Sequence, residues 1–258
     1  MTMNKKIVLL CTDCYSTTAL YNYITKEYAI DSVIIEQPLR GLALAKRRFR
    51  RLGFFRVCGQ IAFSLFIVPF INWFGKKRVK EIKQAYGFDE TNIPEEKITR
   101  FNTVNDEDCI RLLEKINPDI VLVNGTRIIS KKLLERCRAV FINMHAGITP
   151  QYRGVHGGYW AVVNKDLENC GVTIHLVDKG IDTGGILYQK KISITKKDNY
   201  ISYPFLQLGE GLPLILKATG DALTDQLKPQ QSSAAASKLW YHPTIWQYLY
   251  NRIFRNKK

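Results

Sequence analysis

Acidic residues are scarce: 23 Asp and Glu stand against 38 Lys and Arg, a formal net charge of +15. That balance points to an anionic partner, whether a phosphorylated small molecule, nucleic acid or an acidic membrane surface. Cysteines are few and scattered, six in all, at positions 11, 14, 58, 109, 137 and 170. Cys11 and Cys14 form a C-x-x-C, but no second Cys/His pair at zinc spacing follows it, and no short leader with a small-residue cleavage site precedes it. No metal is therefore expected, and reduced thiols in the cytoplasm are. No internal repeat is visible. The turn after the first apolar run, "CTDCYSTTA", contains no glycine, so a phosphate loop built on close backbone approach is not expected there. What the chain does have is 46% hydrophobic residues in 258, enough to bury a sizeable core.

The apolar runs have the lengths of strands and the segments between them have helical spacing. "KKIVLLCTDCYSTTALYNYITKEYAIDSVIIEQ" reads as a strand near 6–11, a helix from about Ser16, and a strand near 31–36. After an irregular stretch from Pro38 to about Arg100 the alternation resumes, with "DEDCIRLLEKINPD" helical, "IVLVNG" a strand, "SKKLLERC" helical and "AVFINMH" a strand. "GVTIHLVD" and "GGILYQKKISIT" follow as strands and 203–226 as a helix. "KPQQSSAAASK" reads as a polar linker to an aromatic, basic C-terminal piece. Alternation of this kind specifies an α/β fold, a mostly parallel sheet with helices on both faces. The expected organisation is one domain over 1–226 interrupted by an insertion at 38–100, with a linker and extension over 227–258.

Ligands of open α/β sheets bind outside the carboxyl ends of the strands. In "FINMHAGITPQYRG", Asn143 and His145 occupy such an end, and their spacing puts both side chains on one side of an extended segment. Neither suits a dry core unless hydrogen-bonded. An amide N–H and an imidazole can stabilise an oxyanion, and the imidazole can also carry protons. The Gly-rich turn "DKGIDTGG" offers Asp178 and Asp182 as carboxylates to tune that imidazole.

The series N-x-H, Pro150, Arg153-Gly154, "GVTIH" and "D-x-G-I-D-T-G-G" resembles the signature of the folate-dependent formyltransferases, which include glycinamide ribonucleotide, methionyl-tRNA and sugar N-formyltransferases. The resemblance covers about 119–190. It implies a Rossmann-like formyltransferase fold, a catalytic triad of Asn143, His145 and Asp182, and N10-formyltetrahydrofolate as co-substrate. The folate pterin would lie against Arg127, Ile128 and Ile129 and the loop from Val177 and Asp178 to Asp182. One departure is visible: the family commonly has Ser-Leu-Leu where this chain has "AGIT".

For the acceptor amine, the missing glycines argue against a ribonucleotide, and the short remainder after the last strand argues against a C-terminal barrel. A nucleotide-linked amino sugar is the expected acceptor, with His156, Tyr159 and Trp240 as candidate contacts, while the charge keeps RNA in view. The insertion contains 18 consecutive uncharged residues, 57–74, between "KRRFRR" and "KKRVK". A helical excursion packed on the sheet, or forming a homodimer contact, is the expected role. A hairpin lying on an anionic membrane through 46–80 is the alternative, and spanning would strand the sheet between its own first and later strands.

Overall fold

The structure, a computed structural model, describes residues 5–38, 48–231 and 236–255. Positions 46 and 47 of the basic flank and 232–235 of the polar linker thus lie outside the described residues. The chain begins with β1 (Ile7–Thr12), α1 (Tyr15–Ile24) and β2 (Ser32–Glu36). A short helical turn at 48–52 precedes α2 (Phe54–Ala85), a continuous helix with a π-helical stretch at Phe63–Ile67. Then come β3 (Ile98–Phe101), α3 (Glu107–Ile116), β4 (Ile120–Asn124), α4 (Lys131–Arg136) and β5 (Val140–His145). They are followed by β6 (Arg153–Gly154), α5 (Gly157–Val163), β7 (Gly171–Leu176), β8 (Ile186–Lys191) and α6 (Tyr203–Leu223). The chain closes with β9 (Leu239–Trp240) and α7 (Ile245–Phe254).

Seven strands form one sheet in the order β3-β2-β1-β4-β5-β7-β8. The first five are mutually parallel, and β7 and β8 are added antiparallel. β4 is buried at every position, as a strand covered by helices on both faces must be. One core lies between the sheet and α1 and α6, with Leu9, Leu20, Leu122 and Ile215 at its centre. On the opposite face Val8, Leu10, Ile110 and Leu133 pack α3 and α4. A third cluster, rich in aromatics, joins α2, α5, α6 and α7 around Phe63, Tyr159, Tyr203 and Tyr248.

Two features depart from the sequence reading. The segment 38–100 contributes an edge strand, β3, whose register with β2 runs from Val33↔Ile98 to Glu36↔Phe101. The hydrophobic stretch is not a hairpin either: it continues through Pro69 as one helix of 32 residues. Proline needs no backbone donor in a first helical turn, and here it follows directly on the π-helical stretch where the hydrogen-bond ladder changes step. By length and composition α2 could cross a membrane. Its two ends, however, feed adjacent parallel strands of the same sheet, and one stripe of it, including Val57, Phe63, Ile71 and Ile82, is buried. It therefore lies along the surface of the domain.

Candidate active site

Strand β5 delivers Asn143 and His145 to the carboxyl edge of the sheet beside Asn124 and Gly125 at the end of β4. Asp182 comes from the loop between β7 and β8. All three line one cavity of about 440 Å³, walled on one side by Asn124–Ile129 and on the other by Val177, Asp178 and Ile181. His145 Nδ1 lies 3.4 Å from Asp182 Oδ2. Asp178, the other acidic candidate, is exposed, and its Oδ1 accepts from Gly180 N and Thr183 Oγ1 at 2.9 and 2.7 Å. It shapes the loop, and Asp182 is the carboxylate that meets the imidazole.

Asp182 has φ 51°, a left-handed conformation that costs an L-residue about 1 kcal/mol or more. The site offsets this strain through hydrogen bonds. Gly154 N donates to Asp182 Oδ2 at 2.8 Å, and Arg153 Nη1 donates to the Ile181 carbonyl at 3.0 Å. Burial alone would raise the carboxyl's pKa, but His175, the charge of His145 and the Gly154 N–H outweigh it and hold it at about 2. Asp182 is ionised in any neutral buffer.

The two histidines beside Asp182 are held in different tautomers. His145 Nε2 faces the Tyr152 carbonyl at 2.7 Å, an acceptor only, so the proton sits on Nε2 and Nδ1 is left facing Asp182. Burial lowers the His145 pKa, with Asp182 and the Tyr152 carbonyl opposing it. His175 reverses the pattern: its Nδ1 donates to the Leu176 carbonyl at 2.7 Å, and its Nε2 lies 3.0 Å from Asn143 Nδ2 and 3.6 Å from Asp182 Oδ1. Asn143 keeps a second amide N–H. Asn143 and His145, on one side of the strand, thus have different partners: both His145 ring nitrogens face protein acceptors while Asn143 is turned toward His175. His175 was missed as a site residue. Its signal was present in "GVTIH", where period-2 alternation makes it a buried polar residue paired across the ladder with Asn143.

The loop after β5 explains "AGIT". A Cβ at Gly147 would lie 2.3 Å from the Tyr152 carbonyl oxygen and 2.8 Å from His145 Nε2, so only glycine lets the chain fold back over the imidazole. Thr149 N donates to Thr173 Oγ1, which in turn donates to the Gly147 carbonyl, tying the loop to β7.

The expected folate contacts are mixed. Arg127, Ile128 and Ile129 all line the cavity, with Ile128 exposed. The Arg127 N–H is already given to Glu36 Oε2 at 2.7 Å, the Ile128 carbonyl accepts from Asn105, and Ile129 is 5% exposed against the core. Val177 lines the wall while its N–H donates to Phe141.

A second cavity of about 410 Å³ shares Gly125, Thr126, Arg127, Gly154, Val155 and Ile181 with the first. Its remaining wall includes Arg48, Arg51, Gln60, Trp240 and Tyr241. Of the acceptor candidates only Trp240 reaches it. That ring also stacks on Trp160 at 4.8 Å and Tyr152 at 5.7 Å, and its Nε1 donates to the Gln151 carbonyl. Tyr159 is a correction: it is 1% exposed within the aromatic core, with Asn251 Nδ2 donating to its hydroxyl. His156 is another, its Nε2 lying 2.6 Å from the Tyr200 hydroxyl and 3.0 Å from His242 Nδ1 in an internal network.

Comparison with known proteins adds the family. The formyl transferase family model matches residues 75–203, half of the chain. A methionyl-tRNA formyltransferase of Finegoldia magna is 36% identical over 154 residues, 57% of this chain and 48% of that protein. The chain thus spans about half the length, or less, of the curated relatives it matches. Among solved structures, a 4-N formyltransferase from Francisella tularensis superposes with TM-score 0.57 at 17% identity, covering 91% of this chain and 76% of that one. An N-formyltransferase from Helicobacter canadensis, in complex with folinic acid and dTDP-3-aminofucose, superposes with TM-score 0.52 at 16% identity, covering 92% and 70%. These structures share the fold. With half of its length matched by the family model and the N-x-H and D-T-G-G motifs meeting in one cavity, the chain belongs to the formyl transferase family.

Proposed function

We propose that the protein is an N-formyltransferase that moves a formyl group from N10-formyltetrahydrofolate to the amine of a nucleotide-linked amino sugar. The observation that carries this reading is the meeting of Asn143, His145 and Asp182 on one cavity wall that opens into a second cavity. The first cavity suits the donor: a slot between two main-chain segments with the apolar Ile128 exposed within it. Bound there, the donor supplies a formyl carbon open to attack by an amine.

The chain's own groups divide the work. Asn143 offers its second amide N–H to the oxygen that becomes negative as the amine adds. His145 takes the amine proton on Nδ1, beside the Asp182 carboxylate, while its Nε2–H stays on the Tyr152 carbonyl. The ionised Asp182 stabilises that imidazolium, and His145 passes the proton from Nδ1 to the folate nitrogen as the C–N bond to the formyl carbon breaks. Both steps occur away from bulk water, because His145 is 6% exposed.

The second cavity carries the argument for the acceptor. Arg48, Arg51 and Arg127 supply positive charge, of which only Arg127 has a carboxylate partner described, Glu36 at 3.5 Å. Trp240 and Tyr241 supply aromatic surface. Gln60 is 1% exposed, and its Oε1 has no hydrogen-bond partner although its Nε2 donates to the His242 carbonyl. An unpaired buried acceptor beside cations and aromatics suits a ligand with a diphosphate, a base and an N–H or O–H donor. The test is a panel of nucleotide-linked amino sugars, with methionyl-tRNA as a further arm, read by mass for the gain of one formyl group. Product on a nucleotide sugar supports the reading, whereas product on methionyl-tRNA alone replaces the acceptor and leaves the reaction class standing.

A further inference from the structure

The water-facing side of α2 carries large apolar side chains. Phe55, Leu65, Phe66, Phe70, Trp73 and Phe74 are each at least 60% exposed. Phe66, Phe70, Trp73 and Phe74 recur at three- and four-residue spacing with Leu65 beside them, so they form one stripe, and Phe55 lies about three turns earlier on a helix about 48 Å long. α7 runs beside it, with Trp246 seated against Gly59 and Ile253 and Phe254 exposed. An exposed apolar surface this continuous marks an interaction site.

The charges around it identify the occupant. No acidic residue occurs between Glu36 and Glu81. Arg50, Arg51 and Arg56 flank one end of the stripe and Lys76, Lys77 and Lys80 the other, all exposed. Glu81 is paired with Arg78, which also holds the buried Asp198. A second copy of this chain would bring the same cations face to face, at a net charge of +15 per chain. A bilayer with anionic headgroups offers the opposite charge at the level of the cations and hydrocarbon beneath for the aromatics.

We propose that α2 and α7 dock the protein in the plane of an anionic membrane, with the Phe/Trp stripe inserted below the headgroups. The helix lies on the bilayer without spanning it, because its other stripe is fastened to the domain by Phe63 against Tyr200 and Tyr248 and by Arg78 to Asp198. The segment that forms the stripe also gives Arg48, Arg51 and Gln60 to the second cavity, so docking holds that cavity's rim near the headgroups.

The test is flotation of the full chain with vesicles of phosphatidylcholine alone or with phosphatidylglycerol, alongside its mass in solution. The protein should float with the anionic vesicles and at least tenfold less with the neutral ones. Going from about 0.1 M to about 1 M salt, which shortens the screening length from about 10 Å to about 3 Å, should release it. Phe66→Ser with Trp73→Ser, and separately Lys76→Glu with Lys77→Glu, should each cut flotation at least tenfold while circular dichroism stays unchanged, since all these side chains are exposed. Wild type remaining unbound with anionic vesicles, or a dimer that hides the stripe and does not float, would overturn the proposal. Flotation requires no turnover, so its outcome is separate from that of the formyl-transfer reading.

Discussion

Asn143 and His145 leave the same strand two positions apart and still do different work, because each is fixed by a different neighbour. His175 accepts from Asn143 through Nε2, which orients the amide. In the proposed mechanism Asn143→Ala removes a donor to the developing oxyanion, and kcat should fall about 100- to 1,000-fold with an unchanged melting temperature. A rate within threefold of wild type would show that the amide does not touch the reacting oxygen. For His145, burial lowers the pKa and Asp182 opposes that effect. The ring should titrate below its ordinary value of about 6.5 in wild type, and lower still in Asp182→Asn, where the opposing charge is gone. Two-dimensional NMR of the ring protons measures both. An upward shift in Asp182→Asn would mean that Asp182 does not face the ring.

At the scale of elements, the C-terminal piece braces the site. β9 pairs with β6, whose Gly154 N–H holds Asp182, and α7, its N-terminus closed by a capping box between Thr244 and Gln247, seats on α2 at Gly59. Gly59 is the contact point: a Cβ there would lie 2.3 Å from the Trp246 ring and 2.8 Å from Thr244 Cβ. Helix propensity alone predicts that Gly59→Ala stabilises by about 1 kcal/mol. Packing predicts the reverse, a loss of about 1–3 kcal/mol, because Thr244 is fixed by its cap and cannot yield. A lowered melting temperature with altered Trp fluorescence is the expected result, and a raised one would show that α7 is loosely seated.

The same elements show what the sequence could and could not reveal. β1 and β4 were legible because strands buried on both faces read as nearly unbroken apolar runs. "ITRF" was not, being a half-exposed edge of four residues without periodicity. The passage of one helix through Pro69 was not legible either, since it depends on the π-helical stretch just before the proline. Asn143, His145 and Asp182 stood out by residue type and position. His175 and Gln60 did not, because their importance comes from partners distant in the chain, Asn143 and His242.

For the molecule as a whole, acid should loosen the join between α2, α5 and α7. Burial lowers His156 to about 3, helped by the charge of His242, and lowers His242 itself to about 4, helped by Arg48. Both titrate near 6.5 when unfolded, so the unfolded chain binds more protons over that window. The stability they give is complete above about pH 6.5 and is lost as pH falls toward about 4. Urea midpoints between these limits should fall with acid, and His242→Asn should flatten the dependence. An equally steep profile in the variant would assign the acid sensitivity to other groups.

The central claim is that Asn143, His145 and Asp182 form a formyl-transfer site. The most direct test is single-turnover transfer of a 13C-labelled formyl group from N10-formyltetrahydrofolate to an acceptor amine, followed by mass spectrometry in wild type and Asp182→Asn. The label should appear on the amine with wild type and be at least 100-fold slower in the variant, since the imidazolium loses its counter-charge. Equal rates in the two proteins would contradict the account.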